Sequence, residues 1–182
     1  STVERVREEA DRLRKEHERI SDETRKVLRK LEEDHERISR RTEELIERIE
    51  REVRKIESRV DEDLVRELRE VLKEVRRLAK EVHEENKRSL DRLRELVERL
   101  HRENDKSLRE IDKLADELAK DDDDEKVKRV EEEVRRSVEE SKKENKKVID
   151  DARRSVKRSE DRNREVIKEV KRLLDTVRER AK

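Results

Sequence analysis

Histidine, asparagine, serine and threonine recur in this sequence at an interval of eighteen residues. The segment from His17 to Ser21 returns as the segment from His35 to Ser39. The other recurring pairs are Thr24 and Thr42, His83 and His101, Asn86 and Asn104, Ser89 and Ser107, Ser137 and Ser155, Ser141 and Ser159, and Asn145 and Asn163. Histidine ordinarily titrates near pH 6.5, so it can gain or lose a proton close to neutral pH. The pattern predicts hydrogen-bonding chemistry that responds to pH.

The same residues give little basis for catalysis or metal binding. No nucleophile, base and orienting group occur together as in a catalytic set. Zinc binding by the histidines is an alternative, but no two histidines are four residues apart and no carboxylate lies in the apolar stripes. The run Asp121–Asp124 lacks the alternating ligands and the glycine of a calcium loop, and helix capping explains it better. We expect no enzymatic activity, no metal and no cofactor.

The composition narrows the class of protein further. The 182 residues include no Gly, Pro, Cys, Met, Trp, Tyr or Phe, whereas natural domains use Gly and Pro regularly. Charged residues make up 60% of the chain, with 55 basic and 55 acidic side chains, which alone would allow a disordered polyampholyte. The signs are mixed throughout and aromatic residues are absent, so we expect no nucleic-acid partner.

Apolar residues follow one another at alternating steps of three and four, which indicates amphipathic helices rather than disorder. The pattern predicts helices over residues 2–58, 62–119 and 123–181. It is interrupted at Ser58–Asp63 and at Lys120–Glu125, where acidic side chains suit a helix start.

Three further expectations concern helix ends and helix faces. Ser1 with Glu4 resembles a capping box at the first helix start. The predicted stripe of the second helix passes through Ala79, and that of the third passes through Ile149 and Ile167.

Connections this short require consecutive helices to run antiparallel. The apolar face of each helix is wide enough to contact two neighbours, which favours a monomer over a larger assembly. Eighteen residues complete five helical turns without drift, so the helices should be nearly straight. The expected fold is all-α, a single-chain antiparallel three-helix bundle that forms one domain over residues 1–182. A hairpin-swapped dimer would show the same pattern.

The antiparallel topology sorts the recurring polar residues into two layers, because facing residues have a constant sum of residue numbers. Layer 1 contains His17, Ser21, Thr24, His101, Asn104, Ser107, Ser137, Ser141 and Asn145. Layer 2 contains His35, Ser39, Thr42, His83, Asn86, Ser89, Ser155, Ser159 and Asn163. On a helical wheel His83 and His101 lie off the centre of their stripe, so they are expected near the bundle edge.

With its missing residue types, its Glu, Lys and Arg surface and its repeated polar layers, the whole chain resembles de novo designed helical bundles with buried hydrogen-bond networks. Some bundles of that family open in acid. The resemblance implies a designed protein with no natural function, no natural location and no required partner. It also implies soluble, recombinant cytoplasmic expression.

Two hypotheses for the polar layers remain. Buried histidines that stay neutral would destabilise the fold on acidification. Alternatively, the networks would only enforce register and topology, because a shifted helix would leave amides unpaired. A further alternative is disruption of membranes, which only an acid-opened bundle could attempt, since the apolar residues are all assigned to core stripes.

Overall fold

Three long α-helices account for nearly all of the chain that the computed structural model describes, residues 2–120 and 123–182. They are α1 (Thr2–Glu57), α2 (Glu62–Lys120) and α3 (Asp124–Arg180). Each bound lies within one residue of the range that the periodicity predicts. The three helices pack against one another, so the expected all-α three-helix bundle is confirmed.

Acidic and hydroxyl side chains mark the helix ends. At the end of α1 the Ser58 hydroxyl donates to the Lys55 carbonyl oxygen at 2.7 Å. The Asp123 carboxylate accepts from the Glu125 amide at 3.3 Å, which is the side-chain contact of an N-terminal cap. No residue in the described ranges adopts a positive φ, as expected for a chain that contains no glycine. The predicted capping box of Ser1 with Glu4 depends on Ser1, which lies outside the described residues. Asp121 and Asp122 also lie outside them.

Contacts divide the chain into two compact units. Unit 1 comprises Ser1–Lys30 and Arg94–Arg153, and unit 2 comprises Leu31–Leu93 and Arg154–Lys182. Within unit 1 the first part of α1 packs with the last part of α2, which is the antiparallel relation that a short connection requires. Every residue of predicted layer 1 falls in unit 1 and every residue of layer 2 falls in unit 2.

Each unit has its own apolar core. In unit 1 an apolar cluster contains Ile111, Val127, Val130, Val134 and Val138. In unit 2 the core cluster contains Ile46, Ile49, Val53, Leu72, Val75, Leu78, Val82, Val166, Val170 and Leu174. Burial of this apolar area is the main favourable contribution to folding.

The structure corrects the predicted stripes at several positions. On α3, Val148 and Val166 are fully buried, whereas Ile149 and Ile167 are only half-buried. On α2 the buried residue is Leu78 rather than Ala79. The reason is that each helix contacts two neighbours, so adjacent apolar residues both face the interior and packing decides which lies deeper.

Candidate functional site

The His17 side chain lies at the centre of a hydrogen-bonded network in unit 1. It is 1% exposed. Its Nε2 lies 2.6 Å from the Ser141 hydroxyl on α3, and its Nδ1 lies 3.5 Å from the Ser21 hydroxyl one turn along α1. The Ser141 hydroxyl lies 3.4 Å from Asn104 Oδ1 on α2. The network therefore connects all three helices through uncharged groups.

The direction of the hydrogen bonds follows from the available protons. Asn104 Oδ1 can only accept, so the Ser141 hydroxyl donates to it. Because a hydroxyl carries one proton, Ser141 must then accept from the Nε2–H of His17. The Ser21 hydroxyl donates to the remaining ring nitrogen, Nδ1. This arrangement satisfies all three contacts with a neutral imidazole in its Nε2–H tautomer.

His35 makes the equivalent contacts in unit 2. It is 2% exposed, and its Nε2 lies 3.0 Å from the Ser159 hydroxyl. Ser159 donates to Asn86 Oδ1 at 3.3 Å, as Ser141 does to Asn104 in unit 1. The eighteen-residue repeat in sequence thus becomes a repeat of one contact pattern in three dimensions.

Asn86 and Asn163 extend the unit 2 network by pairing their amides. Asn86 Nδ2 donates to Asn163 Oδ1 at 3.0 Å, and Asn163 Nδ2 donates to Asn86 Oδ1 at 2.8 Å. Asn163 Nδ2 also lies 2.6 Å from the Ser159 carbonyl oxygen. Because buried amides are costly when unpaired, this reciprocal pair stabilises one register of α2 against α3.

The two networks differ in which buried atoms have no partner. In unit 1, Asn104 Nδ2 and both amide atoms of Asn145 make no hydrogen bond within the described residues. In unit 2 the buried network atoms without a partner among the described residues are His35 Nδ1 and the Ser39 hydroxyl oxygen. Asn145 is the eighteen-residue counterpart of Asn163. A reciprocal amide pair therefore forms in unit 2, whereas none forms in unit 1 among the described residues.

Four of the remaining predicted network residues bond locally or with each other. Thr24 donates to the Ile20 carbonyl oxygen of its own helix, and Thr42 donates to that of Ile38. This back-bonding lets a hydroxyl lie in an apolar face without a partner on another helix. The hydroxyls of Ser107 and Ser137 lie 3.2 Å apart and form a separate contact between α2 and α3.

The other two histidines lie outside the networks. The His83 side chain is 62% exposed, and its Nδ1 contacts the Glu43 carboxylate on α1. His101 is only half-buried and makes no hydrogen bond in the described part of the chain. The edge position expected for both agrees with this burial, but in the described part of the chain neither bonds to a serine of its predicted layer. Glu43 carried no signal in the sequence, because glutamate occurs on every helix surface.

Ser89 and Ser155 complete the predicted set. Ser89 is half-buried and Ser155 is buried, and both line a groove between α2 and α3 of unit 2. Their eighteen-residue counterparts are Ser107 and Ser137, which bond to each other.

Burial controls the protonation of the two network histidines. It lowers the pKa of His17 below its ordinary value, and the negative charge of Glu18 offsets only part of this effect. Burial lowers the pKa of His35 in the same way, with Glu36 acting in the opposite direction. The neutral imidazole is favoured in both cases because the surrounding partners are hydroxyls and amides rather than carboxylates.

Two further classes of site are addressed by the geometry. Across residues 2–120 and 123–182, no group of three or more His, Cys, Asp or Glu side chains is arranged to hold a metal ion. None of the helices in the described ranges has a stretch long and apolar enough to cross a membrane. No protein-family model matches the chain, and no curated protein or solved structure matches it either.

Proposed function

We propose that this chain is a de novo designed helical bundle whose folding equilibrium responds to pH through His17 and His35. The observation that carries the proposal is the position of both imidazoles, which are fully buried and bonded to neutral serine hydroxyls. The origin by design is supported by the absence of Gly, Pro, Cys, Met, Trp, Tyr and Phe and by the eighteen-residue repeat of polar side chains.

Protonation would place a positive charge in each core without a compensating carboxylate bonded to the ring. In unit 1 the new Nδ1–H of His17 can donate to the Ser21 oxygen only after the serine hydroxyl has rotated its own proton away from the ring. In unit 2 the new N–H of His35 would face no acceptor, since Nδ1 has no hydrogen-bond partner among the described residues. A buried charge and an unpaired donor both cost free energy, so acid destabilises the folded chain.

The test is helix content by circular dichroism from pH 7.5 to pH 4 in moderate denaturant. The chain itself supplies a matched control. His17→Asn with His35→Asn removes the buried pair, and His83→Asn with His101→Asn removes the pair outside the networks. We expect acid unfolding in the parent and in the second variant, and a much smaller response in the first. Equal acid sensitivity in all three proteins would contradict the proposal.

A second candidate function is a structural scaffold in which the networks only enforce register. The reciprocal pair of Asn86 with Asn163 favours it, because this pair contains no titratable group and stabilises a single alignment of α2 and α3. Under this alternative, the helix content of parent and variants would stay constant between pH 7.5 and pH 4. Changing Asn86 and Asn163 would then loosen the packing at every pH.

A further inference from the structure

A groove between α2 and α3 of unit 2 has a strongly basic rim. Its volume is about 300 Å³. The residues that line it are Glu85, Asn86, Arg88, Ser89, Arg92, Ser155, Arg158, Ser159 and Arg162. Four guanidinium groups thus surround a floor of serine and asparagine, with one carboxylate among them.

Three of these arginines have no counter-ion among the described residues. Arg162 is held by Glu85, with Nε to Oε2 at 2.8 Å. In residues 2–120 and 123–182, no ion pair or hydrogen bond engages Arg88, Arg92 or Arg158. Arg88 and Arg92 are four residues apart on α2, a spacing at which like charges destabilise a helix.

The eighteen-residue repeat provides the same groove in unit 1 with the opposite charge. That groove is lined by Arg99, Glu103, Asn104, Lys106, Ser107, Glu110, Ser137, Glu140, Ser141 and Glu144. Its floor repeats the serines and asparagine of unit 2, but Glu110, Glu140 and Glu144 replace Arg92, Arg158 and Arg162. The two grooves therefore differ mainly in the charge of the rim.

The hydroxyls on the floor also differ between the two grooves. In unit 1, Ser107 and Ser137 bond to each other at 3.2 Å. Their counterparts Ser89 and Ser155 make no hydrogen bond in the described part of the chain. Ser155 is 8% exposed and lines the groove. The hydroxyls of Ser89 and Ser155 can therefore donate to a polar ligand in unit 2, whereas their counterparts in unit 1 already bond to each other.

We propose that the unit 2 groove binds a small oxyanion, for which inorganic phosphate is the simplest example. Guanidinium groups donate paired N–H groups that match the oxygen atoms of phosphate. The anion would be bound by Arg88, Arg92 and Arg158 at the rim and by the hydroxyls of Ser89 and Ser155 beneath. It would also relieve the repulsion between the two arginines on α2. Asn86 and Ser159 on the groove floor belong to the His35 network, but the groups proposed to bind the anion are outside it.

The test is a titration with sodium phosphate at pH 7.5 and constant ionic strength, followed by proton–nitrogen NMR. We expect saturable shifts at Ser89, Ser155 and the Arg Nε–H groups of the groove. Ser107 and Ser137 in unit 1 serve as the internal reference and should not respond. Arg92→Glu with Arg158→Glu copies the charges of Glu110 and Glu140, and should weaken binding at least about tenfold through lost charge-assisted bonds.

Several outcomes would overturn the proposal. These are shifts that grow linearly without saturation, equal shifts at Ser107 and Ser137, or an unchanged titration in the double variant. The charge set of unit 1 shows that the substitutions are compatible with a folded groove, and Arg92→Gln with Arg158→Gln provides a second variant without charge reversal. Binding to vesicles of phosphatidic acid without any response to free phosphate would also contradict it.

Discussion

His17 Nε2 and Ser141 Oγ lie 2.6 Å apart although 124 residues separate them in the chain. The same separation joins His35 to Ser159 at 3.0 Å in unit 2. Both serines accept a hydrogen bond from the ring Nε2–H and donate one to the amide oxygen of an asparagine on α2. Each imidazole is thereby held neutral in a three-helix contact, and the predictions below follow from that geometry.

The free energy of unfolding should fall as the pH is lowered through about 6.5. Burial lowers the folded pKa of His17 and His35 below the ordinary 6.5, so the unfolded chain binds more protons in the interval between the two values. Stability is complete above about pH 6.5 and decreases until the pH reaches the folded pKa, at no more than about 2.7 kcal/mol per pH unit for two sites. Urea unfolding at half-unit pH steps measures this slope.

His17→Asn alone should remove about half of that slope and His35→Asn the other half. The histidines lie in different units and share no partner, so their contributions should add. A single substitution that removes the whole slope would show that one histidine carries the response. A slope that survives both substitutions would assign it to the surface carboxylates instead.

Both imidazoles should be neutral Nε2–H tautomers at pH 7.5. The serine between each ring and its asparagine must donate to the amide oxygen, which requires a proton on Nε2. Nitrogen NMR of the imidazole rings distinguishes the two tautomers directly. Signals of the Nδ1–H form would contradict the hydrogen-bond directions assigned to Ser141 and Ser159.

Ser21→Ala and Ser39→Ala should change stability by different amounts although the two serines are equivalent in sequence. Ser21 bonds to His17 Nδ1, so its loss should cost about 0.5–1.5 kcal/mol. The Ser39 hydroxyl has no partner in the described residues, so alanine there should be neutral or slightly stabilising. Denaturant midpoints of the two variants give the comparison, and equal losses would show that Ser39 is paired after all.

Asn145→Leu and Asn163→Leu form a second matched pair. Asn145 is buried, and neither amide atom has a partner in the described residues, so leucine, which has the same number of side-chain heavy atoms, should stabilise unit 1 by roughly 1–3 kcal/mol. Asn163→Leu should destabilise unit 2 by a similar amount, because Asn86 would lose its reciprocal partner. Thermal and denaturant unfolding at pH 7.5 measure both. Destabilisation by Asn145→Leu would indicate that its amide is satisfied.

Asp123→Ala should destabilise the start of α3 by about 1 kcal/mol. The Asp123 carboxylate accepts from the Glu125 amide, and alanine cannot replace this contact. Asp123→Asn is the control, since asparagine caps a helix equally well and should retain the stability. Faster amide exchange at Glu125 in the alanine variant alone would support the cap. Equal exchange in both variants would exclude it.

Much of the fold could be predicted because the chain is periodic over long segments. Apolar steps of three and four over more than fifty residues specify an amphipathic helix, and interruptions at Ser58–Asp63 and Lys120–Glu125 mark its ends within one residue. The depth of burial was less predictable. Val148 and Val166 are buried more deeply than Ile149 and Ile167, because α3 packs against two neighbouring helices and adjacent apolar residues both face the interior.

By itself, the sequence determined that this chain forms three antiparallel helices, and that each helix carries its own polar set twice on the same face. Helical period and short connections are sufficient for both. Only the tertiary structure decided that His17 and His35 bond to serines on α3 and that His83 contacts Glu43. It also decided that Asn163 is paired, whereas Asn145 has no partner in the described part of the chain. The physical reason is that identical side chains on a repeat meet different neighbours, and a hydrogen bond forms or fails over less than an ångström.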